Sequence, residues 1–133
     1  MTGSARRVLN ESEILSRLRS KRGAPGYRAM FSSWLGGVIT DPALMQVPLD
    51  DHLVHRGHGV FDTCTLSSGR LYRLGIHIDR LLHSAELARI DHPWNKDDLI
   101  EMVVDTASAA GIRDGAVRYW MSVGPGGFSP SPK

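Results

Sequence analysis

One cysteine, Cys64, stands alone in the chain, so an intrachain disulfide framework and any CxxC metal or redox motif are excluded. A lone thiol fits a reducing compartment. No apolar run approaches the ~20 residues needed to cross a bilayer, and the N-terminus lacks the apolar core of a secretory signal. Neither GxGxxG nor a P-loop pattern occurs, and no internal repeat is visible. Lysine is scarce as well, with only Lys21, Lys96 and Lys133.

What charge there is lies unevenly. The formal balance is +2, yet Arg6, Arg7, Arg17, Arg19, Lys21, Arg22 and Arg28 face only Glu11 and Glu13 in the first 28 residues, leaving the remainder mildly acidic. A nucleic-acid binder needs a basic stripe on its folded face, so neither nucleic acid nor a membrane is the expected partner. The cytoplasm is the expected location. A plastid is the alternative, because the early arginines resemble an organelle transit segment, although the two glutamates count against one.

At 133 residues the chain suits one domain with a real core. Residues 1–27 read as a basic segment carrying a short amphipathic helix, "NESEILSRLRSK", with Asn10 as cap and Glu13 three residues on, as in a capping box. Ile14, Leu15 and Leu18 share one face of it. Residues 28–123 form the folded domain. Two strands are expected around Gly36 and Gly37, a pair able to take the positive φ of a tight hairpin, and a second hairpin turns at "SSG", residues 67–69. Apolar residues at helical spacing then predict one helix from Ile76 to Ile90, with Ile78, Leu81, Leu82, Ala85 and Ala88 inward, and another from Lys96 to Ala110 between Asn95 and Gly111. "AVRYWMSV", residues 116–123, reads as a closing strand. The class is α+β, a β-sheet of hairpins packed with two main helices. Residues 124–133, "GPGGFSPSPK", read as the start of a truncated linker, since Pro130 and Pro132 forbid the helix that a phosphate-binding glycine loop would open.

Chemistry concentrates between residues 52 and 85. His52, His55 and His58 fall three apart, a spacing that could gather metal ligands on a helical turn, but Gly57 and Gly59 argue against that helix, so no metal is expected. The same glycines allow a tight turn or close backbone approach to a ligand. Arg80 falls in the first turn of its expected helix, where a cation opposes the macrodipole unless an anion lies near; amides and guanidinium together would hold a phosphate. The other reading is a solvated arginine paired with Asp79 or Glu86.

"HRGHGVFDT" followed after a hairpin by "HIDRLLHSA" resembles the N-terminal domain of the class IV, fold type IV, pyridoxal-phosphate aminotransferases, the family of the D-amino-acid and branched-chain enzymes and aminodeoxychorismate lyase. "MFSSWLGGVITDPALMQVPLDDHLVHRGHGVFDT" and "RYWMSVGPGGF" are most similar to its plant D-amino-acid branch, and the likeness covers residues 28–129. That resemblance implies transfer of an amino group from an amino acid, D- or branched-chain, to a 2-oxo acid, with pyridoxal 5'-phosphate as cofactor and a homo-dimer as assembly. It matches Arg80 to the arginine that grips the cofactor phosphate, Phe61 to an aromatic residue of the substrate pocket, and His55 and Arg56 to the site's rim. His77, a frequent helix-start residue, receives no chemistry. Asp62 stands where glutamate is commoner, and Val123 where bacterial D-amino-acid enzymes carry a carboxylate-binding arginine. The family's Schiff-base lysine belongs to a second domain, and none of the three lysines has its motif. No catalytic residue is therefore assigned, the chain is expected to be inactive alone and to bind the cofactor weakly, and the alternatives are a non-catalytic interaction module with the same fold or an aminodeoxychorismate-lyase-like protein.

Overall fold

The computed structural model describes residues 3, 5–23 and 26–128. Helix α1, Glu11–Lys21, begins as expected, with the Asn10 side chain accepting the Glu13 amide at 2.9 Å. The capping box is half built, because the Glu13 carboxylate turns to Arg7 and Arg17 instead of back to the cap. No residue of α1 is buried, so its apolar face contributes little to the core. The helix rests on a 3-10 turn, Pro42–Leu44, where Arg19 Nε lies 3.5 Å from Asp41 Oδ2.

Strands β1, Met30–Ser32, and β2, Gly37–Ile39, form the first hairpin. Only Gly36 takes positive φ, at +77°; Gly37 already belongs to β2. The second hairpin joins β3, Gly59–Ser67, to β4, Arg70–Leu71, through Ser68 and Gly69, both at positive φ, as a two-residue primed turn demands.

The α+β class is as expected, and the hairpins fall into two sheets. β1 and β2 stand apart, while the larger sheet has the order β4-β3-β5. Strand β5, Gly115–Ser122, runs antiparallel along β3 from Gly59↔Ser122 to Leu66↔Gly115. Turn residues announce a hairpin locally, but a pairing across two intervening helices leaves no local mark.

After the short helix α2, His52–Arg56, helix α3, Leu74–Leu87, crosses β3, and α4, Lys96–Ala110, packs beside it. Ile78, Leu81 and Ala85 of α3, Leu99 and Val103 of α4, Ile90 and Met121 form the core. Leu82 and Ala88 are only half-buried against it. Asn95 and Asp98 complete a capping box on α4, and Gly111 at φ +67° ends it. Strand alternation places Val60, Asp62, Cys64 and Leu66 of β3 toward the helices, with Val117, Tyr119 and Met121 of β5. Phe61, Thr65, Arg118 and Trp120 occupy the outer face. No helix among the described residues is long and apolar enough to cross a membrane. The expectations at Pro130, Pro132 and Lys133 lie outside the described residues.

Candidate functional site

Because β4 pairs only with the last two residues of β3, the earlier part of β3 keeps an edge that no other strand pairs with among the described residues, an edge uncovered in that sense. The Tyr72 amide donates to the Thr65 carbonyl at 2.9 Å on that edge, so by the two-residue period the backbone groups of Thr63 and Phe61 point the same way. Asp62 meets this edge with its own side chain: Oδ1 accepts the Thr63 amide at 2.8 Å. Its Oδ2 lies 3.2 Å from His77 Nδ1 and 3.6 Å from Arg80 Nε. His77 and Arg80 are three apart on α3 and so share the helix face above the carboxylate.

Burial works to raise the Asp62 carboxyl, but the Thr63 amide, the His77 ring and the Arg80 guanidinium outweigh it and hold the group below the usual aspartate value. Burial, then the Asp62 charge, push the Tyr119 phenol upward, so it stays protonated opposite Asp62 in the β3–β5 register. The Tyr119 hydroxyl is buried without a hydrogen-bond partner among the described residues. Burial and the same charge also raise the Cys64 thiol, which reaches the Tyr72 carbonyl at 3.2 Å; a buried neutral thiol is no nucleophile.

Arg80 requires a correction. Helix α3 starts at Leu74, two residues before Ile76, which puts Arg80 in the second turn and separates it from the terminal amides. Any phosphate grip here rests on the guanidinium and not on the helix end. Neither foreseen partner holds it either, since Asp79 pairs with Lys96 at 2.9 Å while Arg80 lies by Asp62.

Phe61 follows from its parity. It is 60% exposed on the outer face, opposite Trp120, with the Arg118 guanidinium carbon 5.3 Å from its ring centre. Phe61 and Arg80 thus occupy opposite faces of β3, one residue of strand apart, and a ligand touching both must pass round the uncovered edge.

Around the histidines the glycine argument fails. Residues His52–Arg56 form helix α2, capped by Asp51 and closed by Gly57 at φ +63°, so Gly57 ends a helical turn where it was expected to prevent one. The His52 and His55 rings lie 4.9 Å apart, but His52 Nδ1 meets the Gly124 carbonyl at 2.8 Å and His55 Nε2 that of Asp50 at 3.0 Å. His58 turns away to the Ala88 carbonyl at 2.7 Å. Among the described residues no three His, Cys, Asp or Glu gather to hold a metal. His55 also packs edge-on against Phe128, and Arg56 is exposed at the end of α2, which leads into β3.

The structure therefore brings Asp62, His77 and Arg80 together with Phe61 adjacent, and seats His55 and Arg56 on the preceding helix. The sequence reading gave Asp62 and His77 no role; the three-residue step from His77 to Arg80 was the available signal. Arg118 was missed because only the β3–β5 register sets it beside Phe61. The donor set fits a phosphate: among the described residues the exposed Arg80 guanidinium makes no hydrogen bond, and its one ion pair there, with Asp62, is made through Nε.

The family model for amino-transferase class IV matches residues 59–133. The chloroplastic D-amino-acid transaminase of Arabidopsis thaliana is 49% identical over 125 residues, which cover 94% of this chain and 34% of that protein. The branched-chain amino acid aminotransferase of Escherichia coli shares the fold at a TM-score of 0.66 and 22% identity, over 74% of this chain and 34% of its own. The branched-chain aminotransferase of the archaeon Thermoproteus uzoniensis, solved with norvaline, superposes at a TM-score of 0.61 and 25% identity, over 71% and 33%. The chain spans about a third of the length of the relatives it matches. With the fold, the paired motifs and the family model in agreement, the chain belongs to the class IV aminotransferases and corresponds to their N-terminal part.

Proposed function

We propose that this chain supplies the phosphate-gripping and substrate-facing part of a pyridoxal-phosphate-dependent aminotransferase that moves an amino group between an amino acid and a 2-oxo acid. The likeness to the Arabidopsis enzyme supports D-amino acids as the substrate class, and its chloroplastic location favours the plastid alternative. The observation that carries the reading is the Arg80 guanidinium held over Asp62 at the uncovered edge of β3, one residue from exposed Phe61.

Bound pyridoxal phosphate supplies the electron sink that transamination needs. Arg80 would hold its phosphate, Phe61 and Trp120 would exclude water from the substrate, and Arg118 beside Phe61 offers charge to a carboxylate. His55 and Arg56 would close the rim from α2. One charge-assisted contact is worth about 1.5 to 3 kcal/mol, whereas millimolar affinity needs about 4 kcal/mol. This chain alone therefore retains the cofactor poorly, and the lysine that completes the site comes from the rest of the full-length protein, in a homo-dimer.

A chimera tests this reading. The chain replaces the matching third of the Arabidopsis enzyme, and transfer from a D-amino acid to a 2-oxo acid is assayed. Turnover is expected, with Arg80→Ala weakening cofactor retention about tenfold or more. A folded, active chimera that holds the cofactor equally well with alanine at position 80 would sink the proposed grip.

A further inference from the structure

We propose that Asp62 is a positioning residue: pinned by the Thr63 amide and His77, it takes the Nε edge of Arg80 and turns the two terminal guanidinium nitrogens outward toward a phosphate. The inference rests on the phosphate reading of Arg80 and adds the device that orients it.

Asp62 is not arranged like the partner of an ordinary surface ion pair. Both its oxygens are already engaged, Oδ1 by the Thr63 backbone amide at 2.8 Å and Oδ2 by the His77 side chain at 3.2 Å, which restrains the carboxylate from following a mobile arginine. A pair built for its own strength would use the guanidinium fork with two parallel hydrogen bonds. Here the approach is through Nε, at 3.6 Å. Exposure divides the pair in the same sense: the Asp62 side chain is 15% exposed and that of Arg80 66%. The carboxylate is thus a half-buried footing and the cation is presented to solvent, beside a strand edge that no other strand pairs with among the described residues.

Two effects oppose each other. An arginine loses much rotamer freedom when it closes on a ligand, and a footing that orders it beforehand reduces that cost. A carboxylate near a dianion also repels it. Repulsion is weakened here because the guanidinium stands between the two charges and its outer end lies in water, where charges are screened. Orientation is therefore expected to win.

The test uses the full chain with pyridoxine 5'-phosphate and pyridoxine, which lack an aldehyde and cannot label lysines, titrated by NMR. The wild type is expected to prefer the phosphate form about tenfold or more. Arg80→Ala should abolish that preference; if it does not, the phosphate reading itself fails. With that control met, Asp62→Asn should lower the preference about fivefold at unchanged pyridoxine affinity, with Asp62→Glu restoring it. An unchanged or raised preference in Asp62→Asn overturns the inference while leaving the Arg80 contact standing. Should Asp62→Asn fail to fold, the wild type still decides: the Arg80 Nε–H resonance, assigned by its loss in Arg80→Ala, should exchange more slowly than that of exposed Arg70. Equal exchange overturns the positioning role.

Discussion

At the scale of single residues, Asp62 links the candidate site to stability. Its native pKa is held below the ordinary aspartate value of about 3.9, so its ionised form stabilises the fold at pH values above that point. This contribution is lost as pH falls through the lower native pKa. The melting temperature of the wild type should therefore drop below pH ~4 more steeply than that of Asp62→Asn, which has no charge to lose there. Parallel curves would show that the carboxylate is not held as described. Arg80 was legible in the sequence, through "HIDRLLHSA", because its signal lies along one helix. Its footing was not, since Asp62 belongs to a strand 18 residues earlier and only the crossing of α3 over β3 brings the two together.

Within the elements, α3 shows how far periodicity reaches. Leu81 is 3% exposed in the core and Leu87, at the end of the same helix, 72%. Leu81→Ala should destabilise by about 2 to 5 kcal/mol, and Leu87→Ala by no more than about 0.5 kcal/mol, both read from denaturant unfolding. Similar losses would place the stripe on another face. The segment after β5 is fixed by α2 in a way no local pattern shows. Asp51 bridges to Pro125, the Gly126 amide donates to the Asp50 carbonyl at 2.9 Å, and His52 donates to the Gly124 carbonyl. A Cβ on Gly126 would collide with Cε1 of the His52 ring. Gly126→Ala should cost about 1 to 3 kcal/mol and speed amide exchange at His52, whose own amide is held by the Gly124 carbonyl. Wild-type stability and exchange would mean that the ring moves aside freely. Gly57 carries the opposite lesson: read as a helix breaker, it serves as a helix stop, because its left-handed conformation closes a turn as readily as it prevents one.

For the whole molecule, the expected outcome is silence in isolation. Lys96 is held by Asp79 and Lys21 lies on exposed α1, so neither amine is positioned beside a bound aldehyde. Incubation with pyridoxal phosphate, borohydride reduction and peptide mapping should give faint, unselective labelling and no transaminase turnover. Stoichiometric labelling of one lysine with turnover would mean that this chain carries a complete site. The sequence by itself determined the three longer helices, the hairpin turns, most strand positions and the family, because propensity, capping and apolar period act over a few residues and each motif is a short contiguous stretch. Only the tertiary structure decided that β3 pairs with β5, that Phe61 and Arg80 occupy opposite faces beside an uncovered edge, and that Asp62 and His77 stand under the guanidinium. Register and helix crossing are set by the packing of residues far apart in the chain, and the free energy that selects them belongs to the assembled core.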